Sequence, residues 1–221
     1  MMSTQYAGFK FDKRKVLTRN QLVAIFKYLN EEKNNEKLLT VAKNNVFLNL
    51  IIFRLACCCG MRASEICKIR LNDIFLDTEK PYLRIRKDMA KGHVYREVQL
   101  WWDAATLADI SEWKVKRLAD GASPKDLFIV SQERRSFGKP LSRHQARRRF
   151  LTVVRRCLGV ERASTTTIHG GRHSFCTHAL LNGKSLPDVR DAAGHSNVAV
   201  TCGYLHALDN FSGVENIFNF G

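Results

Sequence analysis

Acidic residues are scarce in this chain relative to basic ones. The sequence holds 21 Asp and Glu against 36 Lys and Arg, which gives a formal net charge of +15 over 221 residues. A chain this basic favours a polyanionic partner and argues against a basic one. Nucleic acid is the leading candidate, although an anionic membrane surface would attract the same charge, so charge alone leaves both open.

The chain also lacks the patterns of secretion, redox chemistry and zinc binding. No apolar leader opens it, because charged residues between Lys10 and Arg14 interrupt the chain there. The seven cysteines include three neighbours, Cys57 to Cys59, but no C-x-x-C pair, and we expect reduced core thiols. His169 and His173 have helical i, i+4 spacing without an H-E-x-x-H pattern, so no metal is predicted. We expect a protein that is not secreted: cytoplasmic, and nucleoid-associated if its source is prokaryotic or viral.

No long apolar run of membrane length is present either. The most apolar stretch, Val46 to Cys59, is short for a bilayer and contains Asn49 and Arg54. It predicts the centre of a buried core helix over about 42–59 that ends at Gly60, a residue suited to the left-handed position after a helix.

What the sequence does contain is mainly helical periodicity. Thr18 and Gln21 form a capping box, and an apolar stripe at helical spacing follows it; Ser142 and Gln145 form a second box. Further helices are predicted over 63–69 and 102–118. Residues 82–86 and 96–100 alternate like strands around a turn at Lys91, which predicts a β-hairpin. The expected fold class is mainly α with a small antiparallel β-sheet (α+β), in one domain.

The helix that starts after Ser142 is unusually rich in arginine. A run of charge is most often a solvated face, but in so basic a chain this face is expected to follow phosphates or enter a groove. The candidate DNA-binding residues are Arg143, Arg147, Arg148 and Arg155.

Four segments carry chemically distinctive residues in a fixed order. They are GMRASEI (60–66), AKGHVYREVQL (90–100), HGGRHSF (169–175) and AGHSNVAVTCGYLH (193–206). Together they resemble the catalytic domain of the tyrosine recombinase (phage integrase) family, and the separations of 23 residues from Arg172 to His195 and 9 from His195 to Tyr204 are typical of it. The resemblance covers about Leu17 to His206 and implies a DNA breaking-rejoining fold, with tails at 1–16 and 207–221.

The resemblance implies an active site made of six residues: Arg62, Lys91, His169, Arg172, His195 and Tyr204. Tyr204 is the expected nucleophile. Two arginines suit the charge that develops on the phosphate oxygens, because a guanidinium is a fixed and permanently protonated fork. A tyrosine with an ordinary pKa of about 10 needs help to lose its proton.

We assign that proton to His169, a hydrogen bond to a phosphate oxygen to His195, and general-acid protonation of the departing 5′ oxygen to Lys91. Plainer interpretations exist: Tyr204 as a core aromatic and Lys91 as a solvated turn lysine. Glu65 is expected to orient Arg62 or a helix start. His173 and His178 are expected to be packing or solvent residues.

The activity implied by the resemblance is site-specific recombination or integration of double-stranded DNA through a 3′-phosphotyrosyl link, with no cofactor. We expect a homotetramer on DNA, a monomer free in solution and no membrane association. Two alternatives remain: a type IB topoisomerase-like enzyme that nicks and reseals one strand, and a non-catalytic DNA-binding regulator of the same fold.

Departures from the family pattern fall in three places. Gly170-Gly171 and Ala193 replace larger apolar residues; we expect Gly171 either to loosen the helix that aims Arg172 or to allow close approach of backbone to a phosphate. About 16 residues precede the catalytic domain, so either the chain is a fragment or it grips DNA with this domain alone. An apolar stripe over 211–218 predicts a tail that docks on a neighbouring subunit.

Overall fold

The computed structural model describes residues 12–90 and 92–208. Predictions that concern Lys91 and residues 209–221, including the docking tail, therefore lie outside the described residues. Within the described ranges the helices are α1 (Arg19–Asn34), α2 (Thr40–Phe53), α3 (Ala63–Ile66), α4 (Ala104–Ala119), α5 (Arg143–Thr165), α6 (Ile168–Leu181), α7 (Leu186–Ala193) and α8 (Val198–Leu208).

A three-stranded antiparallel sheet completes the fold, in the order β1 (Ile74–Phe75), β2 (Tyr82–Ile85) and β3 (Arg96–Gln99). The register pairs Tyr82 with Gln99 and Ile85 with Arg96. The predicted class, mainly α with a small antiparallel sheet, is confirmed, as is the hairpin. Strand β1 was not predicted, because two residues are too short to show an alternating pattern.

Helix α1 begins where the capping box predicts. The Gln21 backbone N–H donates to the Thr18 hydroxyl at 3.3 Å, and the Thr18 N–H donates to the Gln21 side chain at 3.1 Å. This pairing satisfies two of the donors that a helix start leaves unpaired. The stripe behind it is buried in the main core at Leu22, Ile25, Phe26 and Leu29.

Helix α2 is the core helix, as predicted. It continues into a wider π-helical turn, Arg54–Cys58, and the 19 residues from Thr40 to Cys58 are long and apolar enough to cross a membrane by length and composition alone. The 14-residue apolar stretch 46–59 is shorter than this helix, which begins at Thr40. Burial decides instead, because Arg54 forms buried ion pairs with Asp103 at 3.3 Å and Asp109 at 2.7 Å inside the protein.

The seven cysteines are all free. Cys57, Cys58, Cys59 and Cys176 are buried as expected, whereas Cys67, Cys157 and Cys202 are only partly buried. Burial raises the pKa of Cys58 to about 12 and that of Cys176 to about 11, so these thiols stay protonated at neutral pH.

The two glycines at the start of α6 permit close packing. A Cβ on Gly171 would lie 3.0 Å from Ala56 Cβ and from Cys57 Sγ, and one on Gly170 would lie 2.4 Å from the Lys15 carbonyl oxygen. The helix start is also capped, because the Gly170 N–H donates to the Thr167 hydroxyl at 3.0 Å. Gly171 thus brings α6 against the π-helical turn. The cap and this packing argue against the expected loosening of the helix start, whereas the approach to a phosphate stays a prediction.

Candidate active site

Four parts of the fold meet at one cleft of about 810 Å³. They are the start of α3, the β2–β3 hairpin, helix α6, and the turn from α7 into α8. Five of the six predicted catalytic residues line this cleft: Arg62, His169, Arg172, His195 and Tyr204. Lys91 lies outside the described residues, but its neighbour Gly92 lines the same cleft. Residues separated by up to 142 positions in the sequence are thus brought together.

Arg62 is held by the carboxylate of Glu65. Arg62 Nη1 donates to Glu65 Oε1 at 2.9 Å, and the Arg62 backbone N–H donates to Oε2 at 2.7 Å. The second terminal nitrogen of Arg62 donates to the Gly194 carbonyl at 3.1 Å. Glu65 is fully buried, and its contacts agree with the expectation that it orients Arg62.

Arg96, for which no role was predicted from the sequence, is the second partner of Glu65. Its two terminal nitrogens donate to the two carboxylate oxygens at 3.0 and 2.7 Å, and Nε donates to the Ala192 carbonyl at 3.0 Å. Burial alone would raise the pKa of Glu65, but the hydrogen bonds and charge of Arg96 and Arg62 hold it below its usual value.

This arrangement joins three segments of the cleft wall. Arg96 links β3 to α3 through Glu65 and to α7 through Ala192. Gly194 has φ of 65°, and a Cβ there would lie 2.7 Å from Arg96 Cδ, so the arginine fills the space that a side chain would occupy. The signal in the sequence was an arginine at an inward-facing position of a short strand, where a charge requires a buried partner.

Arg172 is almost completely buried, with 2% of its surface exposed. Nη1 donates to the Gly60 carbonyl at 2.8 Å, while Nη2 has no hydrogen-bond partner among the described residues. Burial lowers the pKa of Arg172 to about 10, so the side chain remains protonated at neutral pH. A buried cation with a free donor on a cleft wall is suited to an anionic oxygen.

His195 follows Gly194 at the end of α7. Its Nδ1 lies 3.0 Å from the Thr201 hydroxyl, and its ring stacks on the Tyr204 ring with centroids 6.0 Å apart. Burial, followed by the charges of Arg172 and Arg62, lowers the pKa of His195 to about 3, so the imidazole is neutral at physiological pH.

Tyr204 forms part of the cleft wall although only 1% of its surface is exposed. Its hydroxyl lies 2.6 Å from Nδ1 of His173. Burial raises the pKa of Tyr204 far above its usual value, Cys176 raises it further, and Arg172 opposes the shift. The phenol is therefore protonated at neutral pH.

His173 is the residue whose position differs most from the sequence expectation. It was assigned to packing or solvent, but it contacts the expected nucleophile and lines the cleft. The i, i+4 relation with His169 was the available signal; the two rings meet edge to face with centroids 5.1 Å apart. His178, by contrast, is fully buried, and its Nε2 lies 2.8 Å from the Leu17 carbonyl.

Metal-binding geometry is not found in the part of the chain that the structure describes. No group of three or more His, Cys, Asp or Glu side chains is placed to hold an ion within residues 12–90 and 92–208.

The predicted DNA-binding arginines lie outside the cleft, on helix α5. Arg143, Arg147, Arg148 and Arg155 are all exposed. Other arginines of the helix are engaged: Arg149 donates to Asn45 at 2.7 Å and to Glu133 at 3.0 Å. Arg149 thus stabilises the fold, whereas the four exposed arginines are available to a partner.

Comparison with known proteins identifies the family. Residues 15–210 match the family model described as the phage integrase family. The chain belongs to this family. A tyrosine recombinase of Pseudothermotoga lettingae is 29% identical over 84% of this chain and 59% of its own length. Tyrosine recombinase XerC of Bacillus subtilis is 31% identical over 66% of this chain and 45% of its own length. The chain thus spans about half the length of these relatives.

Solved structures show the same phage integrase fold. The XerH site-specific recombinase, bound to its palindromic difH substrate after cleavage, aligns with a TM-score of 0.68 at 20% identity, over 95% of this chain and 55% of its own. A lambda integrase dimer bound to a COC′ core site aligns with a TM-score of 0.58 at 16% identity, over 90% of this chain and 62% of its own.

Proposed function

We propose that this chain is the catalytic part of a site-specific recombinase or integrase. In this proposal it cleaves and rejoins double-stranded DNA through a 3′-phosphotyrosyl intermediate. The observation that carries the proposal is the cleft itself, where Tyr204 stands among Arg62, Arg172 and His195. Cationic donors around a tyrosine hydroxyl are what attack on a phosphodiester requires.

The geometry suggests how the charge of the transition state is stabilised. The scissile phosphate would enter the cleft between Arg62 and Arg172, where Nη2 of Arg172 is free to donate to a non-bridging oxygen. Arg62 is held in place by Glu65, so little reorganisation is needed during reaction. His195, which is neutral, would donate a further hydrogen bond through Nε2, because its Nδ1 faces Thr201.

The reaction transfers the scissile phosphate from a 5′ oxygen of DNA to Tyr204 and later transfers it back to a 5′ oxygen. Tyr204 Oη attacks phosphorus, the bond to the 5′ oxygen breaks, and we assign protonation of that oxygen to Lys91. The link then holds the 3′ phosphate while the free 5′ hydroxyl leaves or attacks in turn. Because the phosphotyrosyl bond replaces a phosphodiester bond, resealing needs no cofactor or external energy source.

The partner in this proposal is double-stranded DNA, with a homotetramer on DNA and a monomer in free solution. The exposed arginines of α5 and the net charge of +15 support DNA binding. The XerH and lambda integrase structures are complexes with DNA, which supports a DNA partner. The relatives from Pseudothermotoga lettingae and Bacillus subtilis are bacterial recombinases, which supports action inside the cell.

A nicked suicide substrate tests this function. The cleaved strand loses a short 5′-hydroxyl fragment, so resealing fails and a covalent protein-DNA adduct accumulates on a denaturing gel. We expect the adduct to form equally well with EDTA present. Failure to form it on any DNA that the protein binds would favour the non-catalytic regulator. Relaxation of supercoiled DNA without strand exchange would indicate the topoisomerase-like activity.

Arg172→Ala should remove the most buried positive charge of the cleft. We expect a loss of about 3 kcal/mol of transition-state stabilisation, which corresponds to a rate of adduct formation more than a hundredfold lower. The matched control is Arg155→Ala, an exposed arginine outside the cleft, assayed at saturating DNA. Equal rates for the two variants would contradict the role of Arg172.

A further inference from the structure

We propose that His173, rather than His169, accepts the proton of Tyr204 as its hydroxyl attacks the phosphate. The inference rests on the proposed function and names a residue for one of its steps. His173 Nδ1 lies 2.6 Å from Tyr204 Oη, which is a short and direct path for a proton. Both side chains line the cleft, so the path lies where the phosphate would enter.

The surroundings of His173 keep it able to accept. Burial, followed by the charges of His169 and Arg172 on its own helix, lowers the pKa of His173 to about 4. From the N-terminal segment, Lys15 lowers this pKa further and Asp12 raises it. The imidazole is therefore neutral at pH 7. When Nε2 carries the ring proton, the lone pair of Nδ1 faces the tyrosine hydroxyl.

The raised pKa of Tyr204 does not prevent this proton transfer. Burial raises the pKa of Tyr204, so the proton stays on the phenol before the attack begins. As the O–P bond forms, the phenolic oxygen gives up electron density and its proton becomes strongly acidic. A weak base at hydrogen-bond distance is then sufficient in the transition state.

The step balances in both directions. The bond from Tyr204 oxygen to phosphorus forms, the bond from phosphorus to the 5′ oxygen breaks, and the phenolic proton moves to His173 Nδ1. The resulting imidazolium is stabilised by the anionic phosphate beside it. In the resealing step His173 returns the proton to the oxygen of Tyr204 as that oxygen leaves phosphorus.

His169 has a different place in the cleft. It lies one helical turn before His173, and its ring meets the His173 ring edge to face. This contact suits His169 to hold the His173 ring and to face the phosphate. The alternative is that His173 only positions the Tyr204 hydroxyl. A proton acceptor and a positioning residue differ in one measurable respect. A more acidic phenol loses its proton with less help from a base, but it still needs to be positioned.

The test combines a base-deficient variant with a more acidic nucleophile. His173→Asn can still accept a hydrogen bond but cannot take up the proton. We expect its single-turnover rate of adduct formation on the nicked substrate to be about a hundredfold below that of the unaltered chain or lower. Replacing Tyr204 by 3,5-difluorotyrosine in that variant should recover at least tenfold, relative to the effect of the same replacement in the unaltered chain. His169→Asn, the matched control, should show no such recovery.

Three outcomes would overturn the proposal: a His173→Asn rate equal to that of the unaltered chain, a slow variant with no recovery on fluorination, or recovery in His169→Asn instead. If His173→Asn does not fold, as judged by thermal melting, the fluorinated His169→Asn protein decides. Tenfold recovery there contradicts the proposal, and an unchanged rate supports it. Absence of any adduct from the unaltered chain contradicts the recombinase function, whereas an unaffected His173 variant contradicts this inference alone.

Discussion

Tyr204 and His173 face each other across 2.6 Å, and burial acts on the two groups in opposite directions. It raises the pKa of the phenol and lowers that of the imidazole, so both are neutral at pH 7. Neutral groups are less costly to bury than an ion pair, which makes this resting state compatible with a folded core. Tyr204 is thus expected to lose its proton only as its oxygen bonds to the phosphate.

The neutral state of His173 predicts how stability depends on pH. The pKa of His173 is about 4 in the folded protein, against 6.5 for an ordinary histidine, the value expected in the unfolded chain. Between these two pH values the unfolded chain therefore binds one proton more than the folded protein. Stability from this group is present above pH 6.5 and is lost as pH falls towards 4. At pH 5.5 we expect a loss of roughly 1 kcal/mol from His173.

Urea unfolding at pH 7.5 and pH 5.5 measures this term. The decrease in unfolding free energy between the two pH values should be smaller in His173→Asn than in the unaltered chain by that amount. His144→Asn, a histidine at the exposed start of α5, is the control and should match the unaltered chain. Equal decreases in all three proteins would show that His173 is not held neutral.

Sequence reasoning predicted the cleft residues better than their mutual contacts. Arg62, Arg172, His195 and Tyr204 carry motif spacings, and the structure brings them together on the cleft wall. The neighbour of the Tyr204 hydroxyl could not be read in this way, because it depends on how α8 is rotated against α6. That rotation is set by packing between residues far apart in sequence, which no local pattern encodes.

At the scale of elements, the buried Arg96–Glu65 pair joins β3, α3 and α7. Without Arg96 the buried Glu65 carboxylate loses two hydrogen bonds and keeps only those from Arg62. Removal of one partner of a buried ion pair commonly costs about 3–5 kcal/mol. We expect Arg96→Met to lower the unfolding free energy by about 3 kcal/mol. It should also slow adduct formation at saturating DNA at least tenfold, because Arg62 loses the neighbour that fixes Glu65.

Arg84→Met is the matched control for this variant. Arg84 lies on the adjacent strand β2 and pairs with Asp73, which retains contacts to Arg86 and to the Arg70 backbone N–H. We expect little change in the rate of adduct formation. Rates that fall equally in Arg84→Met and Arg96→Met would show a general effect on the sheet rather than positioning of Arg62.

Element boundaries illustrate what local patterns contain. The starts of α1 and α5 were predicted to the residue, because capping boxes are local hydrogen-bond arrangements. The helix expected over 63–69 ends earlier, at Ile66, and α5 is kinked at Gly159, where φ is 88°. The π-helical turn at 54–58 had no sequence signal; Arg54 pairs with Asp109 there, and Gly171 of α6 packs close to Ala56 and Cys57.

At the scale of the whole molecule, the distribution of charge separates binding from chemistry. Two arginines that line the cleft, Arg96 and Arg172, are buried, whereas Arg143, Arg147, Arg148 and Arg155 of α5 are exposed. Exposed arginines that contact phosphates release counterions, so each contact contributes about 0.9 to the slope of log K against log salt concentration. We expect Arg148→Gln to reduce that slope by about this amount.

Arg149→Gln is the matched control on the same helix. Its guanidinium already bonds to Asn45 and Glu133, so the slope should not change. The measurement is a titration of binding at several salt concentrations. An unchanged slope in Arg148→Gln would remove the α5 face from the proposed DNA interface, whatever the effect on overall affinity.

The most direct test of the proposed mechanism is to identify the residue that becomes linked to DNA. The adduct from the nicked suicide substrate is digested and mapped by mass spectrometry. We predict a single 3′-phosphate link on Tyr204 and no adduct from Tyr204→Phe, a variant that keeps the ring but lacks the nucleophile. A link on another residue, a 5′-phosphate link, or an adduct that persists in Tyr204→Phe would contradict it.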